Sequence, residues 1–328
     1  MIEVEHLSKI YGSTVAIQDI AFSVEEGEIL GFLGPNGAGK TTTMRILAGY
    51  IPATSGTARI AGYDVHEHSM EVRRRIGYLP ENPPLYPDMT VEGFLHFVAS
   101  IKGVAAGDRP ARVTSAIERC QLEEKRKVSI RKLSKGYRQR VGIAQAIVHD
   151  PPAIILDEPT IGLDPRQIIE VRHLIKSLAG QHTIILSTHI LPEVSMTCDR
   201  VTIINRGKVV ASNTPENLVE QLTQGSGYEL EIEGDTTPVK PLLESIPGVT
   251  CADINPDRQD REYPSNHRAS IRITTAPDAE PGRDIAAAIV HQGLGLYEMR
   301  RTRPTLEDVF LELTTQESGI DGQEPTVE

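Results

Sequence analysis

Four short, almost wholly apolar runs mark the first two thirds of the chain: "EILGFLG" (28–34), "AIILD" (153–157), "TIILSTH" (183–189) and "VTIIN" (201–205). Runs of this length without polar alternation predict strands covered on both faces, and the helical stretches between them predict a parallel α/β sheet. The segment 82–150 breaks that rhythm. Behind "PENPPLYPDMT", Phe94, Leu95, Phe97, Val98 and Ile101 recur at helical spacing, and "RVTSAIERCQLEEKRKV" continues in the same manner. A mostly helical insertion is expected here, with Phe94, Phe97 and Val98 in its core. In "KLSKGYRQRVGIAQAIV" (132–148), Ser134 is placed to cap a helix with Gly136 beside it, a helix start that suits an anion.

Past "TQGSG", a polar link near 223, the pattern changes again. Strand-like "YELEIEG", helical "VKPLLESI", strand-like "VTCADI" and "HRASIRITT", helical "GRDIAAAIVHQG" and strand-like "LGLYEMRRT" follow in turn, closed by helical "TLEDVFLELTT". That is the β-α-β-β-α-β order of a split-βαβ domain with one more helix. The expected division is therefore a domain over 1–222 with its helical part at about 82–150, a small α+β domain over 223–315, and a polar, acidic tail over 316–328 expected to be disordered.

Composition adds little but excludes something. The 328 residues suit about two domains, and 39% hydrophobic with 24% charged residues is ordinary for a globular protein. A net charge of −11 with no basic block argues against nucleic acid as the main partner. Cys120, Cys198 and Cys251 are widely spaced, which fits neither a disulfide framework nor a zinc site, and suits a reducing compartment. The first residues, "MIEVEHLSKIYG", lack the apolar stretch of a signal peptide, and no run approaches the ~18 apolar residues of a membrane helix. A membrane role would need another chain to supply the span.

The chemistry is concentrated at strand ends. "GPNGAGKTTTM" places Gly34, Gly39, Lys40 and Thr41 in the slots of G-x-x-x-x-G-K-[ST], directly after a strand and before a helix. Its glycines let backbone N–H groups wrap phosphate oxygens; Lys40 would reach the β- and γ-phosphates and the Thr41 hydroxyl would hold Mg²⁺. In "AIILDEPT", Asp157 is placed to hold the Mg²⁺ shell, and Glu158 to polarise a water for attack on the γ-phosphorus. His189 ends the strand expected beside that one, so it opens on the same site and would bond the γ-phosphate.

In this order the motifs resemble the ATP-binding cassette (ABC) family over residues 1–222, which implies a P-loop NTPase core with a helical subdomain. The resemblance assigns Gly34, Pro35, Asn36, Gly37, Ala38, Gly39, Lys40, Thr41 and Thr42 to the Walker A loop and Tyr11 to stacking on adenine. Asp164 in "IGLDP" is assigned to the D-loop, His189 to the switch histidine, and Glu158 to the catalytic glutamate. "LSKGYRQR" stands where the family carries its signature; Ser134 and Gly136 match it, and Lys135 and Tyr137 depart from it. Glu81 in "GYLPEN" occupies the slot of the Q-loop glutamine, near Mg²⁺. "GYLPE", the signature variant and "RPTLEDVFLELT" are together similar to ABC-2 type exporter ATPases of the gliding-motility and multidrug-export kind.

The resemblance implies ATP and Mg²⁺ as ligands and an integral membrane permease as partner. It also implies a second, head-to-tail copy whose Ser134 and Gly136 face the first copy's ATP. The location implied is cytoplasmic, on the inner face of the cell membrane. The loop "ENPPLYPDM" is read as part of a groove for a permease helix, lined by Leu85, Tyr86 and Met89. The alternative is a soluble ABC ATPase acting on nucleic acid or ribosomes. Such proteins usually carry two cassettes or a long coiled-coil insertion, and this chain carries one cassette and no such insertion.

Overall fold

The computed structural model describes residues 1–222, 227–234, 238–255, 268–276, 279–302 and 305–315. The tail expected at 316–328 and most of the link at 223–226 lie outside them. In chain order the strands of the larger part are β1 (Ile2–Tyr11), β2 (Thr14–Val24), β3 (Ile29–Leu33), β4 (Ser55–Ile60), β5 (Tyr63–Asp64), β6 (Ile76–Leu79), β7 (Ala153–Asp157), β8 (Thr183–Thr188), β9 (Arg200–Asn205) and β10 (Lys208–Asn213). The helices are α1 (Lys40–Leu47), α2 (Ser69–Arg75), α3 (Val91–Ile101), α4 (Arg109–Arg119), α5 (Lys135–Ile147), α6 (Pro165–Leu178), α7 (Leu191–Thr197) and α8 (Pro215–Leu222).

The apolar runs assemble into one six-stranded sheet in the order β10-β9-β3-β8-β7-β6, parallel except for the β9–β10 hairpin. Every residue of β3, β6, β7 and β8 is buried, which is why these strands show no polar alternation. A second, antiparallel sheet, β2-β1-β4-β5, shares a core with the first through Ile2, Phe22, Phe32 and Met44. Because β3, β8, β7 and β6 are parallel neighbours, Leu33, Thr188, Asp157 and Leu79 end at one rim, where ligands of open α/β sheets bind.

Three helices, α3, α4 and α5, lie between β6 and β7. Residues Val91, Phe94, Leu95, Val98 and Ala99 of α3 turn inward, a stripe at i, i+3, i+4, i+7 and i+8. Phe97 falls beside that stripe and is 39% exposed, so the expected core of Phe94, Phe97 and Val98 loses its middle member. Its ring instead meets Tyr86 edge-on, with centroids 5.4 Å apart.

The chain divides into two units, Met1–Pro215 and Glu216–Glu328. In the second, which holds α8 beyond its first residue, β11 (Gly227–Glu233), α9 (Val239–Glu244), β12 (Val249–Asn255), β13 (Arg268–Thr275), α10 (Gly282–His291), β14 (Gly295–Thr302) and α11 (Leu306–Thr315) follow α8 in turn. Its antiparallel sheet runs β12-β13-β11-β14, the split-βαβ arrangement. Leu230, Ile232, Ile271 and Ile273 of the sheet pack with Leu243 of α9 and Ile285 and Ile289 of α10. The outer face carries cross-strand ion pairs, including Glu229 with Arg272 and Arg300. All three cysteines are free; Cys120 and Cys198 are buried.

Candidate active site

The loop between β3 and α1 is shaped by its glycines. A Cβ on Gly34 would stand 2.4 Å from the Ile204 carbonyl oxygen, so no side chain fits there. Gly39 has φ +106° and lies against Ile17 and the Ala16 carbonyl, a conformation that L side chains rarely adopt. The loop thereby presents the amide end of α1 to solvent, a natural phosphate seat. Lys40, the first residue of α1, is only 5% exposed. Its Nζ donates to the carbonyls of Gly34 at 2.8 Å and Pro35 at 3.2 Å, and stands 3.3 Å from Glu158 Oε1.

At the end of β7 two adjacent carboxylates diverge. Glu158 has φ +51°, the left-handed region, which is strained for a residue with a side chain. Its amide donates to the Ser187 carbonyl at 2.9 Å, which ties the ends of β7 and β8 together. With the backbone so turned, Glu158 Oε2 accepts a hydrogen bond from His189 Nδ1 at 2.9 Å. Asp157 is fully buried; Oδ1 accepts from the Ser187 hydroxyl at 2.8 Å, and Oδ2 has no hydrogen-bond partner. Burial raises its pKa, against the lowering effect of Ser187 and of the nearby Thr41.

That orphaned oxygen is what a divalent cation would satisfy, so the residues present fit Mg²⁺. Among the described residues no three of His, Cys, Asp and Glu converge into a metal site.

A cavity of about 460 Å³ gathers Asn36, Gly37, Gly39, Lys40, Thr41, Thr42, Glu81 and Glu158, together with Thr14, Val15 and Ala16 from the start of β2. Glu81, two residues past the end of β6, thus stands in the same cleft as Lys40. Tyr11 is outside the lining; it pairs with Thr14 across the β1–β2 turn, is 48% exposed, and has Lys9 Nζ 5.1 Å above its ring.

Ser134, Gly136 and Asp164 line a different cavity of about 540 Å³, with Tyr137, Arg140 and Gln167. Ser134 caps α5 by accepting from the Tyr137 amide, and Asp164 caps α6 by accepting from the Gln167 amide. Gly136 leaves room for the Gln167 side chain, since a Cβ there would stand 2.6 Å from Gln167 Oε1. The two helix starts therefore meet at one place. Among the groove residues expected before α3, Leu85 and Met89 are half-buried and Tyr86 is exposed.

Residues the sequence reading passed over complete the picture. Ser187 holds Asp157, and Glu193 of α7 accepts hydrogen bonds from Thr160 and Thr188. Burial raises the Glu193 pKa, against those two hydrogen bonds. Within "LPEVSM" a glutamate looks like any solvated helix residue; only the fold shows it buried.

A parallel sheet with a lysine-bearing glycine loop and a Glu–His pair at its rim defines a P-loop ATPase. Residues 17–161 match the family model of the ABC transporter. The linearmycin resistance ATP-binding protein LnrL of Bacillus subtilis (strain 168) is 30% identical over 96% of this chain and 98% of its own length. Nod factor export ATP-binding protein I of Ralstonia nicotianae is 34% identical over 97% of this chain and 94% of its own. Both alignments include the second unit. A solved ATP-binding subunit of an ABC transporter is 32% identical with TM-score 0.62, covering 67% of this chain and 92% of that one. A bacterial ABC transporter cassette solved as a dimer is 25% identical with TM-score 0.60, covering 65% and 98%. The chain belongs to the ATP-binding proteins of ABC transporters, and it is an ATPase of that family. Among the described residues, no helix is long and apolar enough to cross a membrane.

Proposed function

We propose that the chain energises an ABC-2 type exporter, working as two head-to-tail copies that each complete the other's site. The observation that carries this reading is the separation of two half-sites. The cavity holding Lys40 and Glu158 shares no lining residue with the one holding Ser134 and Gly136. A second copy would bring its Ser134 hydroxyl and Gly136 amide to the γ-phosphate of ATP seated on Gly34–Thr42, with Tyr11 on the adenine and Asp164 at the join.

In this reading Glu158 takes a proton from a water aligned with the γ-phosphorus, and His189 bonds a γ-phosphate oxygen. Lys40 leaves the loop carbonyls to contact the β- and γ-phosphates. Thr41 and Asp157, with Glu81 nearby, would hold Mg²⁺, which when bound neutralises phosphate charge. The export name of one similar protein supports a membrane permease as partner, on whose cytoplasmic side the chain would lie. The exposed Tyr86–Phe97 pair supplies an apolar surface for it.

The test is ATP-dependent association. A Glu158→Gln protein, able to bind ATP but not to hydrolyse it, runs as a dimer with Mg-ATP and as a monomer without it. A variant that stays monomeric with ATP and still turns over at the wild-type rate overturns the reading.

A further inference from the structure

Glu193 lies in the first turn of α7, 1% exposed and outside the lining of both cavities. Its Oε1 accepts a hydrogen bond from the Thr160 hydroxyl, and its Oε2 one from the Thr188 hydroxyl at 2.8 Å. Both threonines are themselves buried. Thr160 stands two residues beyond Glu158, in a turn closed by the Ile161 amide donating to the Glu158 carbonyl at 3.2 Å. Thr188 immediately precedes His189, and its hydroxyl also accepts the Ile190 amide at 3.1 Å. A carboxylate this deep is costly to bury unless bonded, and here its two bonds reach the segments that carry Glu158 and His189.

The geometry points to a positioning role: resting on the hydrolytic reading above, we propose that Glu193 holds Glu158 and His189 in register by clamping the segments that carry them. On the sheet side those segments are tied by the Glu158 amide on the Ser187 carbonyl and by the Ser187 hydroxyl on Asp157. On the far side the tie is Thr160–Glu193–Thr188. Without it, the 2.9 Å contact between Glu158 and His189 is fixed at one end only. Glu193 touches neither nucleotide nor water in this scheme; it acts through its neighbours.

The test is steady-state Mg-ATP hydrolysis by the full chain with its membrane partner, read as separate kcat and KM. Glu193→Leu removes both acceptors, and kcat is expected to fall by about 10- to 100-fold, the cost of a misplaced catalytic group, with KM for ATP unchanged. Glu193→Gln can accept from one threonine and donate to the other, so it retains about a third or more of kcat. In a His189→Ala background, single-turnover rates show the Glu193→Leu loss shrinking, because its target is already gone. Binding of a fluorescent ATP analogue by Glu193→Leu at wild-type affinity shows the fold intact. Should that protein not fold, Thr188→Val removes one bond and is expected to lower kcat alone.

Wild-type turnover with kcat of Glu193→Leu within about twofold of it, KM rising in step, or an undiminished loss without His189 overturns the clamp and leaves the ATPase reading standing. No turnover by the wild-type chain overturns both.

Discussion

Glu158 Oε2 and His189 Nδ1 are 2.9 Å apart although 31 residues separate them in sequence, and the other Glu158 oxygen lies 3.3 Å from Lys40 Nζ. One carboxylate thus faces two partners that the reaction needs elsewhere. In the proposed mechanism ATP would draw Lys40 and His189 to its phosphates and release Glu158 toward water. Replacing Glu158 by Gln is expected to lower kcat by about 100-fold or more, the range for a lost general base, and His189→Ala by a smaller factor. Both keep wild-type ATP binding. Phosphate release assays beside equilibrium nucleotide binding check this; loss of binding in step with rate would sink the assignment.

Gly136 lies in the first turn of α5, where an acidic residue suits the helix dipole, so Gly136→Asp is expected to fold. Its new carboxylate would crowd Gln167 and face the partner copy's γ-phosphate. ATPase activity is expected to vanish while the monomer binds ATP as before. Isothermal titration and a hydrolysis assay separate the two effects, and a Gly136→Asp protein that hydrolyses normally would falsify the cross-copy site.

Asp157 Oδ2 is buried and has no hydrogen-bond partner. Chelation with EDTA is expected to stop hydrolysis and excess Mg²⁺ to restore it. Asp157→Asn, which removes the charge and keeps the shape, is expected to raise the Mg²⁺ concentration for half-maximal rate by at least about tenfold, since the carboxylate proposed to hold Mg²⁺ would lose its charge. An unchanged Mg²⁺ titration would refute the role.

His149 Nε2 donates to the Ile76 carbonyl at 3.0 Å, and burial, aided by Lys102, pushes its pKa down to about 4. Because the folded value lies below the unfolded one, the unfolded chain binds the extra proton between the two. Stability is therefore complete above about pH 6.5 and is lost as pH falls toward 4, by on the order of 3 kcal/mol in all. His182, also lowered by burial, adds in the same direction. Urea midpoints measured from pH 4 to 7 are expected to vary less for His149→Gln than for the wild type; equal slopes would rule out the contribution.

The residues legible in the sequence are those tied to strand ends. Lys40, Thr41, Asp157, Glu158 and His189 each follow a buried apolar run, and a parallel sheet brings all such ends to one rim. The antiparallel sheet β2-β1-β4-β5 is not legible in the sequence. Register shifts in β1 after Val4, Leu7 and Lys9, with positive φ at His6 and Asp19, break the period-two alternation that marks a strand. Phe97 was misread because helical spacing alone does not fix where an apolar stripe ends. The left-handed backbone at Glu158 and the Thr160–Glu193–Thr188 bridge leave no trace in a linear pattern, since both arise from contacts between distant segments.

If two copies complete each other's sites as proposed, the two half-sites on each copy would also set a rate law. A chain that cannot close its own site hydrolyses ATP in proportion to the number of encounters, so free chains in dilute solution follow the square of their concentration. A membrane partner that seats two copies side by side replaces that square with a fixed local concentration, in the millimolar range for short tethers. Turnover away from the membrane is then suppressed by dilution alone, with no inhibitor required.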